Sequence, residues 1–386
     1  MTVALLGFGT VGLGVYNILS QTPGITVKYV VDLHRHEELP VHSVTEIEVA
    51  LQDEEVDTVV EVIGGEHPAL EFVRDSLKAG KNVVTANKLL ISTHYETLSR
   101  LALEKGLSLR YTAAVGGGIP WLVNLRRATR VSEIYEVSGI MNGTSNYILD
   151  AMHSESENFE VALRQAQELG YAERDPSADI DGIDTCCKIV LSADLAFSAA
   201  LDRREVDCAG IREITVQDIS ACEFEGCVCK LMGFAYFNEG HLSVFVEPTF
   251  VPKNSMEASV HKNLNLISFD AQYVGRESFY GFGAGRYPTA YTVVQDCLDI
   301  SEEKTGLYNE SMKKQTIDNS LVSHPYYLRT DAADDFVTRH CRRKCGDGMI
   351  TDSVSVEEMH AFARRVKENG KTCFFAGMQK DNSEDD

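Results

Sequence analysis

Short apolar runs alternate with amphipathic stretches through roughly the first 125 residues. The strand-like runs are Val3–Leu6, Val27–Val31, Thr58–Val62, Asn82–Thr85 and Leu107–Tyr111; helix-like stretches fall at Gly12–Leu19, His67–Ala79 and Tyr95–Glu104. This alternation predicts a parallel sheet with crossover helices. The runs read as continuous rather than alternating in apolar character, which fits strands covered on both faces. From Glu133 the texture changes. Strand-like Ile134–Ile140, Leu242–Pro248 and Leu266–Val274 surround helical Phe159–Leu169, Gly182–Ala196 and Gln217–Gly233, an α+β mixture that Thr289–Ile300 closes as a helix. Beyond a polar stretch at 301–324 comes one β-α-β-like unit, Met349–Val356, Glu357–Lys367 and Thr372–Gly377. The tail 381–386 is too polar to pack and reads as disordered.

A length of 386 residues makes two or three domains the natural expectation. Thirty-six basic against fifty-eight acidic side chains leave a net charge of −22, which repels phosphate backbones and anionic lipid. Nucleic acid and membrane partners are therefore not expected. No apolar run reaches the roughly 18 residues of a spanning helix, and the amino terminus enters a strand at once, so the chain reads as cytoplasmic. Ten cysteines in such a chain read as reduced thiols. Cys222, Cys227 and Cys229, and separately His340, Cys341 and Cys345, lack the paired spacing of a zinc site. Cys186 and Cys187 suggest thiolate chemistry, but an apolar helix around them favours packing.

Gly7-Phe8-Gly9-Thr10-Val11-Gly12 follows the first strand and opens a helix. The first glycine makes the tight turn, the second lets backbone approach a pyrophosphate, and the third permits close helix–strand packing. The helix amino terminus offers unpaired N–H groups to the phosphates. Asp32 ends the second strand twenty residues after Gly12, the spacing of a carboxylate that holds the adenosine ribose. A dinucleotide is the expected ligand. Asp32 favours NAD, whereas Arg35, helped by His34 and His36, could neutralise the 2′-phosphate of NADP; the reading leans to NAD and leaves NADP open.

A nicotinamide cofactor implies a carbonyl or alcohol substrate, and so a group that handles a proton. The acidic stretch 170–184 leads into a helix bearing Lys188, four residues after Asp184 and on the same helix face. A surface ion pair accounts for that spacing in most proteins, at about 0.3–0.5 kcal/mol. Here Cys186, Cys187, Ile189, Val190 and Leu191 make the helix apolar, so the pair is expected to be partly buried, where ionic groups are costly unless they serve a purpose.

At this point the chain resembles the homoserine dehydrogenases, from Thr2 to about Tyr327. The resemblance rests on Glu61-Val62-Ile63-Gly64-Gly65, Val83-Val84-Thr85-Ala86-Asn87-Lys88, Ala114-Val115-Gly116-Gly117-Gly118-Ile119-Pro120, Gly139–Leu149, Gly170–Lys188 and Tyr280-Gly281-Phe282-Gly283-Ala284-Gly285. It implies reduction of L-aspartate 4-semialdehyde to L-homoserine with NADH or NADPH, on the route to threonine and methionine. By the same resemblance Lys188 is the proton donor, with Asp184 and Lys88 beside it. Thr144, Gly170, Tyr171, Glu173 and Asp184 bind the small-molecule substrate. The cofactor falls to Gly7, Phe8, Gly9, Thr10, Val11, Gly12, Asp32, Arg35, Gly64, Thr85, Lys88, Gly283 and Gly285. It also implies a sodium ion on the backbone carbonyls of Val115, Gly117 and Ile119, although Thr112 stands where the family carries a glutamate ligand.

The expected architecture is thus α/β. It places a Rossmann-type domain at 1–130, an α+β substrate and dimerisation domain at 131–300, a connection at 301–325 and a short C-terminal module at 326–386. That module begins like an amino-acid-sensing (ACT) domain at Pro325-Tyr326-Tyr327-Leu328-Arg329, then loses the pattern and reads as a remnant. A homodimer or dimer of dimers is expected. Two rival functions remain: a dehydrogenase of another amino-acid-derived semialdehyde, and a non-catalytic dinucleotide sensor.

Overall fold

The computed structural model describes residues 1–302, 306–308 and 311–379. The expected tail at 381–386 lies outside the described residues. The chain divides into two compact units. The first holds Met1–Glu133, Val190–Arg203 and Gly281–Gln315; the second holds Ile134–Ile189, Arg204–Tyr280 and Thr316–Asp386.

In the first unit six strands form one sheet: β1 (Thr2–Leu6), β2 (Thr26–Val31), β3 (His42–Val44), β4 (Thr58–Glu61), β5 (Asn82–Thr85) and β6 (Leu109–Arg110). Their order is β3-β2-β1-β4-β5-β6 and every pairing is parallel. The helices between them are α1 (Thr10–Leu19), α2 (Ile47–Leu51), α3 (Ala69–Lys78) and α4 (Lys88–Lys105). Alternate residues of β1 serve opposite faces. Val3 and Leu5 join one buried cluster with Val15, Leu19 and Val293, while Ala4 and Leu6 join another with Ile47 and Val59. Two covered faces explain the uninterrupted apolar runs. The helix Arg286–Ser301 lies against α1, and Gly14 makes that approach possible: a Cβ there would meet Arg286 Cγ at 2.9 Å.

The second unit is built on a mixed sheet. Its order is Gly275–Phe282, Leu264–Ala271, Ile134–Ile140, Cys227–Asn238, His241–Pro252, Cys373–Met378, Tyr326–Thr330, Gly348–Thr351 and Cys341–Cys345. One expectation fails here. Gln217–Gly233 reads as a helix, but the helix is Val216–Phe224; after Gly226, at φ 72°, the chain turns into the long strand Cys227–Asn238. That strand is central and buried along most of its length, so its residues do not alternate and its period cannot be told from a buried helix.

The last part holds more than one β-α-β unit. A strand (Tyr326–Thr330), a helix (Asp335–His340) and a strand (Cys341–Cys345) come before the strand Gly348–Thr351, the helix Val356–Glu368 and the strand Cys373–Met378. Cys341–Cys345 is an edge strand with its Arg and Lys side chains exposed, which shields the edge and leaves no apolar alternation to read. Tyr326, Leu328, Phe336, Met359, Phe362 and Phe375 form the core of this part.

Candidate active site

The first unit gathers the residues assigned to the dinucleotide. Gly7, at φ 92°, ends β1 in the left-handed region that favours glycine, and Gly9 caps α1 without any side-chain cap. The amino-terminal N–H groups of α1 are therefore uncovered by side chains, and a Cβ on Gly9 would meet nothing within 4 Å. A Cβ on Gly12 would overlap the Gly7 carbonyl. Gly9 thus leaves room for a ligand while Gly12 closes the turn on itself, which fits a pyrophosphate on the helix end. Asp32 follows β2, and its Oδ2 accepts the Phe8 N–H at 2.5 Å, so the carboxylate is anchored to the glycine turn. The Phe8 ring packs on His36 with centroids 4.6 Å apart; His34 and Arg35 are exposed.

At the carboxyl ends of β4 and β5 a residue that sequence reasoning missed organises the others. Glu61 is fully buried, and its Oε1 accepts the N–H groups of Ile63 (2.8 Å) and Gly64 (3.2 Å). Its Oε2 accepts the Thr85 hydroxyl, which in turn accepts the Asn87 N–H. Asn87 caps α4 through the Leu90 N–H and donates to the Gly65 carbonyl at 2.6 Å. This network fixes the turn around Gly64 (φ 83°) and the start of α4, where half-buried Lys88 is the first residue. Thr85 is buried with its hydroxyl committed to Glu61. The acidic residue closing β4 was the available signal.

Gly117 and Gly283 touch backbone to backbone, since a Cβ on Gly117 would lie 2.6 Å from the Gly283 carbonyl carbon; Gly118 donates to the Phe282 carbonyl at 3.2 Å. Gly285, at φ 120°, opens the helix Arg286–Ser301. In the buried loop of Val115, Gly117 and Ile119, the Ile119 carbonyl accepts from Trp121 N–H at 2.7 Å. Thr112 turns to the helix Arg286–Ser301: its N–H and hydroxyl both donate to Asp296, which also pairs with Arg110 at 2.9 Å. Burial pushes the Asp296 carboxyl up, and Arg110 only partly offsets this.

The second unit holds the Asp184–Lys188 pair expected to handle the proton. Asp184 and Lys188 lie one turn apart on the helix Ile183–Phe197 and are 4% and 5% exposed. Lys188 Nζ donates to Asp184 Oδ2 at 2.7 Å and to the Met141 carbonyl at 2.6 Å. The apolar helix expected around them is there, with Cys186, Cys187, Ile189, Val190 and Leu191 all buried. The Thr144 hydroxyl donates to the Tyr171 carbonyl at 2.7 Å, tying the helix Gly143–Ser154 to the segment after Gly170 (φ 75°). Tyr171 packs on Tyr147 with centroids 5.1 Å apart. Glu173 lies on an exposed loop that Gln167 holds through the Glu173 carbonyl at 3.0 Å.

A parallel sheet ordered 3-2-1-4-5-6 with a glycine-rich turn at its first strand, in a chain that also carries a buried Lys–Asp pair, defines a nicotinamide-dependent oxidoreductase. Comparison with known proteins narrows the class. Residues 7–112 match the homoserine dehydrogenase NAD-binding-domain model, and residues 120–298 match the homoserine dehydrogenase model. The homoserine dehydrogenase of Synechocystis sp. is 37% identical over 363 residues, covering 89% of this chain and 83% of its own. That of Corynebacterium glutamicum is 39% identical over 323 residues, covering 78% and 72%. The crystal structure of a homoserine dehydrogenase from Thiobacillus denitrificans superposes with a TM-score of 0.89 at 28% identity, over 98% of each chain. The chain belongs to the homoserine dehydrogenase family.

Proposed function

We propose that the chain interconverts L-aspartate 4-semialdehyde and L-homoserine, with NAD as the preferred dinucleotide and Lys188 as the proton carrier. The observation that carries this reading is the buried pair itself: an ammonium that donates to the Asp184 carboxylate and the Met141 carbonyl on an apolar helix. A buried ion pair contributes little net stability against apolar residues of similar volume, so its presence argues for chemistry. The bound nicotinamide supplies hydride to the aldehyde or removes it from the alcohol. Lys188 then gives a proton to the developing alkoxide, or takes one from the hydroxyl, a contribution of about 10²–10⁴-fold. Asp184 keeps the amine in place, and with Glu173 it offers negative charge to the substrate ammonium. Thr144, Gly170 and Tyr171 shape the substrate's surroundings, and Lys88 at the start of α4 adds a second cation at the strand ends.

Asp32 supports NAD, because a carboxylate anchored to the glycine turn disfavours a 2′-phosphate and the nearby Arg35 is solvated. The reading also gives the carbonyls of Val115, Gly117 and Ile119 to a monovalent cation such as sodium, without the charged ligand of the family, because the side chain at position 112 is a neutral threonine whose hydroxyl donates to Asp296. It further takes the protein to be a cytoplasmic homodimer or dimer of dimers.

Initial rates of homoserine oxidation with NAD and NADP side by side, with and without sodium, test these points together. Faster turnover with NAD and a rate raised by sodium are expected. A rate indifferent to sodium removes the cation site, and preference for NADP removes the role given to Asp32. Dinucleotide binding without homoserine-dependent reduction overturns the catalytic reading.

A further inference from the structure

Asn142 follows the strand Ile134–Ile140, caps the helix Gly143–Ser154 and is almost fully buried. Its Oδ1 accepts the Ser145 N–H at 2.7 Å. That bond fixes which way the amide points, since a flipped amide would set donor against donor. Both hydrogens of Nδ2 therefore face carboxylates: Asp179 Oδ1 at 2.6 Å and Asp184 Oδ2 at 2.9 Å. The same Asp184 oxygen receives Lys188, and Lys188 also donates to the carbonyl of Met141, the residue just before Asn142. One peptide step thus holds both ends of the ion pair, a carbonyl on the amine and an amide on the carboxylate.

We propose that Asn142 is a positioning residue for proton transfer, keeping Asp184 aimed at Lys188 as the amine changes charge. The proposal rests on the proton-carrying role of Lys188. When the ammonium releases its proton, the positive charge it held at 2.7 Å from Asp184 is gone, and burial makes any weakening of the donors to a carboxylate costly. The neutral amide donates to Asp184 whatever the state of Lys188, so the carboxylate need not rotate or take up a proton. Asn142 also stands between two acidic side chains, Asp179 and Asp184. Asp181, next along the chain, is held by Arg212 at 2.7 Å. A carboxylate at position 142 could only accept. It would add a third negative group to this cluster and favour the charged form of Lys188.

Asn142→Asp and Asn142→Ser separate this role from a structural one, because Asp and Ser cap helices about as well as Asn. Melting temperature, the KM for NAD and the pH profile of homoserine oxidation are measured for both variants. Both variants are expected to melt lower than the parent, because the carboxylates of Asp179 and Asp184 each lose a donor; assayed well below that Tm they should show an unchanged KM for NAD and a kcat lowered about tenfold or more. In Asn142→Asp the limb where rate rises with pH moves upward by about one pH unit, through the added negative charge; in Asn142→Ser it does not move upward. Parental kcat and pH profile in both variants overturn the proposal. So does a loss of kcat that follows a fall in Tm with the limb unmoved. A parent enzyme inactive on homoserine, or an active Lys188→Ala, overturns the underlying reading instead. An active parent, an inactive Lys188→Ala and a normal Asn142→Asp overturn only the role of Asn142.

Discussion

Two buried lysines in the second unit have different hydrogen-bond partners. Lys188 has a carboxylate at 2.7 Å. Lys230 has only neutral acceptors within hydrogen-bond reach, Asn146 Oδ1 at 3.0 Å and the Val260 carbonyl at 2.6 Å, and is 0% exposed. Burial pushes the Lys230 amine down to about 8, with the charge of Asp150 opposing only in part. Its pH dependence follows from linkage. Below pH 8 the amine is protonated both folded and unfolded, and the fold bears the cost of burying the charge. Between about 8 and the ordinary lysine value the folded form releases its proton first, so stability rises with pH. The urea midpoint of the parent relative to Lys230→Met should therefore increase from pH 7.5 to 9.5; a flat difference contradicts the buried-amine account. At this scale the Asp184–Lys188 spacing was legible because it lies within one helix. Asn142 and Glu61 were not, since their partners are 42 and 24 residues away and only the fold brings them together.

At the scale of elements, the glycine turn and α1 form one device whose second and third glycines have separable duties. Alanine at Gly12 would overlap the Gly7 carbonyl, so the variant should lose about 1–3 kcal/mol of stability together with dinucleotide affinity. Alanine at Gly9 meets no protein atom within 4 Å and, at φ −71°, suffers no backbone strain. Gly9→Ala should keep its Tm while the Kd for NADH, read by fluorescence titration, rises tenfold or more, because the methyl group occupies the ligand's space. Equal NADH affinity in Gly9→Ala and the parent would move the pyrophosphate away from this turn. Five strands of the parallel sheet were readable as short apolar runs between turn signals, whereas β3, His42-Ser43-Val44, carries no such run and was missed. The strand Cys227–Asn238 was not, because burial of a central strand removes the alternation that marks half-buried ones.

On the scale of the molecule, strand pairing joins the last module of the second unit to the rest of its mixed sheet, and the buried carboxylates Asp218 and Glu247 reinforce the join. Cys373–Met378 runs parallel to His241–Pro252, pairing Gly377 with Thr249. Glu247 on that neighbouring strand accepts His324 Nε2 at 2.8 Å, His360 Nε2 at 3.1 Å and the Tyr326 hydroxyl at 3.3 Å. Burial alone would raise the Glu247 carboxyl, but His324 and His360 outweigh it and hold the group below the usual range. The stability it contributes is thus present above about pH 4.5 and is lost as pH falls through the lowered value. Removing the charge in Glu247→Gln breaks a buried ionic cluster and should cost about 3–5 kcal/mol near neutral pH, a difference from the parent that shrinks in acid. Thermal melts at pH 7 and pH 4 check it, and an equal difference at both contradicts it.

The central claim is that the buried amine of Lys188 carries the proton while the glycine turn carries the dinucleotide. Its most direct test is Lys188→Ala assayed for NADH formation at saturating homoserine and NAD, with the Kd for NADH measured on the same preparation. A rate lowered by about 10²–10⁴-fold with NADH affinity unchanged is expected. Parental turnover in that variant would contradict the account.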